Sequence, residues 1–585
     1  MIYEQIKKDL ETRTHVSFDI FDTLVLRPYV KPTDLFYHLE DQENKPGFAS
    51  ARIRAEKEAR VKYHREITLD EIYAQLDISM QTFKNLECEY EISVAVPNRE
   101  IIQIINQIPK NKHILLISDM YLPSDVIIQV LNKCGITGYD KLYVSSEYGV
   151  TKHSGELYQK VLAELHIKPQ DLFHVGDNLH ADYWMALRKG IAAYHYFSPM
   201  KRYLDTHPPQ QRFYKQTKDW QRSIIVAMDM IYLSTLSSQN KISWYNLGYR
   251  FGGPLVYGYA KHLEDTISEG SIVLFAARDG YNIMKVLQEI SIKQIDYNYI
   301  YAQRILYAVF SEEYINYGKI RMPNRHKEYL DYSKTLSNIR YLLEYYLDEL
   351  PSGWKDLSAA NDEQIIGLYN DASKVIDHFR KRDLDEYRKT ISAICTSDRK
   401  IELVDCTTMK FSSQKLLEYV LERKIYGHYF VTLSDEKDIT HESFHRRKGL
   451  EIDWTMVNIP EFFMCSPEYP VIGIKQNVPI YKIDNPDCEI TRKNIYPLIS
   501  ESECDYARDL VQIFGEKLPH FDCDTLLSWC KVLLRDKESA EREALSMIKW
   551  ASDPAHGEYR NIIPTVKDIP HWIKKMILDI IWKIN

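Results

Sequence analysis

The 585-residue chain has only nine cysteines, and none of them forms a CxxC pair. That scarcity excludes a disulfide framework and a cysteine-rich zinc site, and it fits a reducing compartment. Long apolar runs are missing too. No window approaches 18 uninterrupted apolar residues, and the N-terminal MIYEQIKKDLETR lacks a signal-peptide core, so no membrane span is expected and a cytoplasmic location is. An excess of positive charge is also absent. With 75 Lys+Arg against 83 Asp+Glu, the formal net charge is −8, which argues against nucleic acid as a partner. The 21 glycines and 23 prolines are scattered, which excludes collagen-like and low-complexity chains, and no repeat of fixed period suggests a solenoid. What remains is 45% hydrophobic and 27% charged, the make-up of a globular protein long enough for two or three domains.

Residues 1–200 alternate short apolar runs with amphipathic stretches, the pattern of strands and crossover helices in a parallel sheet. The runs are HVSF (15–18), HILLI (113–117), KLYV (141–144), LFHV (172–175) and AAYHY (192–196). The exception, 27–112, is rich in Glu, Lys and Arg at helical spacing and reads as a helical cap over the end of the first strand. A Pro-, Lys- and Tyr-rich stretch, 201–221, reads as a linker. A second Rossmann-like α/β region is expected over 222–435, from SIVLFAA, YNYIYA, KIELVD and YGHYFVTL, with a helical insert over 329–396. Residues 436–585 read as mixed and mainly helical. The 43 tyrosines are dispersed and suit half-buried packing positions.

Polar residues recur where the strands of the first region end. The first run leads into Asp19-Ile20-Phe21-Asp22-Thr23-Leu24, the second into Ser118-Asp119, the third into GVTK with Lys152, and the fourth into Gly176-Asp177-Asn178 with Asp182 beyond. The carboxyl edge of an open parallel sheet is where ligands bind. Asp, Ser and Asn after strands also cap helices, but their recurrence at four successive strand ends favours a site. The chemistry is that of a phosphate group. A carboxylate attacking an anionic phosphoryl group needs a lysine and a divalent cation to offset repulsion, and Mg²⁺ suits one or two aspartates with a backbone carbonyl and waters. Ser118 and nearby N–H groups would hold phosphate oxygens.

The segments FDIFDTL, ISDMY, SSEYGVTKHSGELY and VGDNLHAD resemble the four motifs of the haloacid dehalogenase superfamily, over about a third of the chain. The resemblance implies a Rossmann-like sheet with a cap and an aspartyl-phosphate mechanism. Asp19 would be the nucleophile, Thr23 would close the loop after it, Ser118 would bind phosphate and Lys152 would stabilise charge. Asp177 and Asp182, with Asp19 and the Phe21 carbonyl, would hold Mg²⁺. It departs from the phosphatase pattern in one place. Two residues after the nucleophile those enzymes carry an aspartate that moves a proton, and here Phe21 cannot. The combination with a strand–ARDGY–helix segment is similar to large bacterial predicted hydrolases of this superfamily associated with surface-polysaccharide synthesis, which suggests a phosphorylated sugar or glycan precursor as substrate.

Further candidates lie outside the motifs. Asp119 is expected to face substrate, and in the cap Arg52 and Arg60 are the candidate substrate contacts, although alternating charge there also suits a solvated face. In the second region Arg278-Asp279-Gly280 and Asp405, with Thr407, Thr408 and Lys410, follow strands and could cradle a phosphate or nucleotide sugar as readily as cap a helix. This leaves an alternative in which a degenerate first domain accompanies a glycosyl- or phosphotransferase. The C-terminal HWIKKMILDIIWKIN has an apolar face that could touch a membrane surface peripherally, though packing on the protein body gives the same spacing. The short basic run His445-Arg446-Arg447-Lys448 suits a solvated loop, and no feature sets an oligomeric state.

Overall fold

The protein's structure, a computed structural model, describes residues 2–217, 219–236, 244–302, 306, 336, 339–350, 357–396, 398–434, 436–445, 454–475, 478–481, 486–535, 539–553 and 558–562. The chain divides into two compact units, Met1–Lys241 with Asp509–Phe521, and Ile242–Arg508 with Asp522–Asn585. Both are α/β.

The first unit contains β1 (His15–Phe18), β2 (Val25–Leu26), β3 (Val96–Pro97), β4 (His113–Ser118), β5 (Lys141–Val144), β6 (Leu172–Gly176) and β7 (Ala192–His195). Five of these form a parallel sheet in the order β5-β4-β1-β6-β7. Val16, Phe18, Leu115, Leu116, Ile117, Tyr143, Val144, Leu172, Phe173 and Val175 are buried. Such unbroken apolar runs belong to strands covered on both faces, and each large side chain buried contributes about 1.5–3 kcal/mol. β1 lies centrally between β4 and β6, so its carboxyl end opens where the strand order reverses.

The cap grows from the antiparallel pair β2–β3. Between them run the helices Asp34–Gln42, Phe48–Tyr63, Leu69–Tyr73 and Phe83–Ser93, while Arg99–Ile105 follows β3 and leads into β4. Leu69–Tyr73 starts with a capping box. The Glu71 N–H donates to Thr68 Oγ1 (3.3 Å) and the Thr68 N–H donates to Glu71 Oε2 (3.0 Å), so two otherwise orphaned donors are satisfied. The Leu69 N–H donates to the Tyr121 carbonyl (3.0 Å), which ties the cap to the loop after β4. The stretch 201–221 contains helix rather than extended chain, within Pro199–Thr206 and Pro208–Thr217. A proline at the first turn has no N–H to leave unsatisfied, so the same residues that read as a break start these helices.

The second unit contains β8 (Ile272–Ala276), β9 (Asp296–Ile300), β10 (Ile401–Thr408), β11 (Tyr426–Thr432) and β12 (His441–His445), all parallel in the order β12-β11-β10-β8-β9. A 33-residue helix, Asp362–Ile394, begins at a capping box between Asn361 and Gln364. It falls within the expected insert 329–396, much of whose first part lies outside the described residues. On this sheet the His428 ring is buried between Glu402 (Nε2 to Oε2, 2.6 Å) and Glu442 (Nδ1 to Oε1, 2.7 Å). Farther on come the helices Trp454–Met464, Pro486–Phe514, Cys523–Arg535 and Ala540–Ser546. Among the described residues no helix is long and apolar enough to cross a membrane. The HWIKKMILDIIWKIN segment and Arg446–Lys448 lie outside the described residues.

Candidate functional site

Asp19 follows β1 directly, and its N–H donates to the Val175 carbonyl at 2.8 Å, so the start of the loop after β1 is stitched to β6. The loop then turns back. Asp22 adopts φ +60°, its N–H bonds the Val25 carbonyl (2.8 Å), and the Leu24 and Val25 N–H groups both bond the Ile20 carbonyl. Short polar residues tolerate this left-handed region better than bulky ones. Thr23 is fully buried, and its carbonyl accepts from Asn98 Nδ2 at 2.7 Å. The loop is thereby fastened to the base of the cap, while among the described residues Thr23 Oγ1 itself has no hydrogen-bond partner.

Four strand ends deliver their side chains to one place. The Lys152 ammonium is buried and pairs with Asp19 and with Asp182 Oδ1, the latter at 2.6 Å. Asp182 is held from other sides as well. Its Oδ1 lies 3.2 Å from His174 Nε2, and its Oδ2 accepts the Asn178 N–H at 2.9 Å. The far ring nitrogen of His174 meets Ser17 Oγ at 2.7 Å. Gly176 is required by this packing, because a Cβ there would lie inside the van der Waals envelope of the Asp182 carboxyl. Ser118, at the tip of β4, is 1% exposed, and among the described residues its hydroxyl makes no hydrogen bond.

Burial pushes the Asp19 carboxyl up to about 7, against the pull of Lys152. Asp177 is pushed up to about 8, first by burial and then by the charges of Asp19, Asp22 and Asp182. Burial alone would raise Asp182, but Lys152 and His174 outweigh it and hold this carboxylate well below its usual range. Burial works against the Lys152 ammonium, but the charges of Asp182 and then Asp19 raise it well above its ordinary value. The site therefore carries more carboxylate than it neutralises. Asp19, Asp177 and Asp182 each present a ligand atom, all within 4.8 Å of one another. Among the described residues the Asp177 carboxylate has no hydrogen-bond partner, whereas both oxygens of Asp182 are engaged. The chemistry of this set suits a hard divalent cation, which the Asp19, Asp177 and Asp182 carboxylates could hold, while Asp182 also braces the lysine.

Several sequence-expected contacts sit elsewhere. Asp119 accepts the N–H groups of Lys152 (2.6 Å) and His153 (3.0 Å), so it shapes the lysine loop where a substrate contact was expected. Arg52 is fully buried in the cap, in a bidentate pair with Glu87 (Nε to Oε2 and Nη2 to Oε1, both 2.7 Å), among the rings of Phe36 and Tyr121. Its donors are committed to the protein rather than to a ligand. Arg60 is half exposed and pairs with Glu66 (3.0 Å) and Glu56 (3.1 Å), and the Glu66 carboxyl feels Asp119. The second-unit candidates stand at neighbouring strand ends. Arg278 takes φ +71° after β8, its N–H meets Tyr299 Oη (2.7 Å), and its carbonyl accepts the Ser466 N–H (2.9 Å). Asp405 lies on β10 and is pushed up to about 8 by burial and then by Asp279. Glu461, also pushed up to about 8 by burial, feels both Asp279 and Asp405.

Sequence reasoning missed His174, Ser17, Glu461 and Arg27. The first two sit within apolar runs and read as strand filler, and Glu461 falls in EFFMC, where no periodicity marks it. Arg27 marked only the start of the cap.

No family model matches the sequence, and no curated protein matches it. Solved structures do. A dehalogenase in an intermediate complex aligns at 11% identity over 32% of this chain and 84% of its own, with a TM-score of 0.25. The L-2-haloacid dehalogenase of Xanthobacter autotrophicus with chloropropionic acid covalently bound aligns at 13% identity over 35% of this chain and 83% of its own, TM-score 0.26. A predicted HAD-like family hydrolase from Porphyromonas gingivalis aligns at 16% identity over 32% of this chain and 91% of its own, TM-score 0.16.

Proposed function

We propose that the first unit is a Mg²⁺-dependent phosphohydrolase that transfers a phosphoryl group to Asp19 and then to water. The observation that carries this reading is the bridge of Lys152 between Asp19 and Asp182, beside an Asp177 carboxylate that among the described residues accepts no hydrogen bond. Lys152 holds Asp19 in place and lowers the repulsion between its carboxylate and an incoming phosphoryl group. Asp182, fixed by His174 and Asn178, keeps the ammonium aimed at Asp19. The Ser118 hydroxyl is free to donate to a non-bridging phosphate oxygen. Asp19 attacks phosphorus, the bond to the leaving oxygen breaks, and water then opens the acyl phosphate and restores the carboxylate. Mg²⁺, held by Asp19, Asp177 and the Phe21 carbonyl, would supply charge neutralisation at the phosphoryl oxygens. The substrate is a phosphorylated small molecule, a sugar phosphate or glycan precursor, as the sequence resemblance suggests. The test is phosphate release from a panel of phosphorylated sugars and nucleotides, with and without Mg²⁺. Metal-dependent release that disappears in Asp19→Asn is expected, and silence across the panel would overturn the reading.

A second reading rests on the convergence of Asp279, Asp405 and Glu461 in the second unit. It makes that unit a transferase acting on activated sugars. Nucleotide-sugar binding that is lost in Asp405→Asn but kept in Asp19→Asn would support it.

A further inference from the structure

Buried arginines in the first unit come in two kinds. Arg52 spends its donors on Glu87 and is closed off. Arg27, just past β2, is 8% exposed, yet among the described residues its guanidinium donates no hydrogen bond at all. Its contacts are a 3.5 Å approach of Nε to Glu91 Oε2 and the face of the Phe21 ring, 4.2 Å from the guanidinium carbon. Glu91 is itself 1% exposed, and among the described residues its Oε2 has no hydrogen-bond partner. A guanidinium carries five N–H donors in a planar fork shaped for carboxylate or phosphate. The Arg27 nitrogens are not sealed from solvent, so beside the ion pair with Glu91 the fork is open to an anion.

Its position says which anion. The ring under the guanidinium belongs to Phe21, two residues past Asp19, and after Glu91 the charges of Asp22 and Asp19 act on Arg27, so the fork borders the loop that carries the nucleophile. It covers the side chain of Phe21, the residue that occupies the place of a proton-moving acid. A sugar hydroxyl cannot leave readily as an alkoxide without a proton, whereas a carboxylate or a phosphate leaves as a stable anion and needs none. A cation in place of an acid therefore suits the second kind of leaving group.

We infer that Arg27 binds the departing anion, and that the substrates are phosphoric anhydrides, in which the transferred phosphoryl group is joined to a carboxylate or to a second phosphate. This rests on the Asp19 reading above and narrows its substrates: a sugar or glycan precursor joined through a diphosphate or acyl phosphate is kept, and a simple sugar phosphate ester is set aside. In the first step a new P–O bond forms to Asp19, the anhydride P–O bond breaks, and its electron pair stays on the leaving oxygen, opposite Arg27. In the second step water adds to phosphorus, Asp19 leaves as carboxylate, and both protons depart on dihydrogen phosphate.

The test uses the full chain with Mg²⁺ and compares acetyl phosphate and pyrophosphate with glycerol phosphate, for the native protein, Asp19→Asn, Arg27→Lys, and Arg27→Gln combined with Glu91→Gln so that no buried charge is orphaned. Anhydrides should exceed the alkyl ester in kcat/KM by about 10³-fold, within the range a positioned proton donor supplies. The double variant should lose about 10²–10³-fold on anhydrides and at least tenfold less than that on the ester, with Arg27→Lys in between. Equal rates on ester and anhydride, or an unimpaired double variant, would overturn the inference. Silence on every substrate would sink the Asp19 reading, and calorimetric binding of methylenediphosphonate then decides the Arg27 question. At least tenfold weaker binding by the double variant than by the native protein keeps Arg27 as an anion site, and equal binding removes it.

Discussion

Arg52 provides the sharpest test of whether the cap's buried charge is structural. Its guanidinium and the Glu87 carboxylate are both 0% exposed and joined by two 2.7 Å bonds, and Tyr73 Oη donates to Glu87 Oε2 at 2.7 Å. Glu87→Leu leaves Arg52 with only the partly exposed Glu56 at 3.3 Å and orphans the Tyr73 hydroxyl. An uncompensated buried charge costs about 3–5 kcal/mol. Replacing both partners, as Arg52→Met with Glu87→Leu, removes that charge and lays an apolar chain among Phe36, Tyr73 and Tyr121. The remaining cost is the tyrosine hydroxyl, about 1–3 kcal/mol, so the double variant should be milder than Glu87→Leu alone. A two-unit chain has no single unfolding midpoint. The assay is therefore native-state hydrogen exchange of amides in Phe48–Tyr63 and Phe83–Ser93, where 3–5 kcal/mol at 1.36 kcal/mol per decade means exchange faster by about 10²–10⁴. If the double variant exchanges as fast as Glu87→Leu, or if Glu87→Leu changes exchange less than about fivefold, the reasoning fails. Loss of substrate affinity in the double variant with exchange unchanged would return Arg52 to the role of a substrate contact.

Three other outcomes follow from the same geometry. Burial lowers the His428 imidazole, but its hydrogen bonds to Glu402 and Glu442 more than reverse this and raise it above its ordinary value of 6.5. Its contribution to stability is then complete below that value and is lost as pH rises through the raised one, so in urea titrations the gap between native protein and His428→Gln should be full below pH 6.5 and close as pH rises above it; a constant gap would count against a buried imidazolium. Gly176→Ala should force Asp182 off Lys152, costing about 1–3 kcal/mol by overpacking and lowering phosphate release by at least about 10²-fold, and unchanged release with unchanged stability would contradict the packing drawn from Gly176. Phe21→Asp should raise hydrolysis of alkyl phosphate esters by about 10²–10⁴-fold, measured as phosphate release, and no change would mean that another acid already serves.

The parts of this protein legible in the sequence are those set by short-range rules. HVSF, HILLI, KLYV and LFHV became β1, β4, β5 and β6 because an apolar run bounded by polar residues is a buried strand wherever it packs. Asp19, Ser118, Lys152, Asp177 and Asp182 were legible as candidates because each lies at or just beyond a strand end, and a parallel sheet gathers such ends on one edge. β12, HESFH, was not legible. It is a half-buried edge strand of polar residues whose pairing with β11 supplies the order that its own composition lacks. The partners of charged side chains were equally hidden. Arg52 and Arg60 lie on one helix with the same local pattern, yet one meets Glu87, 35 positions away, and is sealed, while the other stays half in solvent. Asp119 looked like a pocket residue until the fold brought two N–H groups from positions 152 and 153 onto its oxygens. Arg27 carries no local signal, because its character comes from the ring of Phe21 and from a glutamate 64 positions on. Strand and helix periods are written in neighbouring residues, but whether a buried charge is satisfied or left open depends on which distant acceptors the tertiary structure places within about 3 Å, and that decided which of the charged residues could serve a ligand.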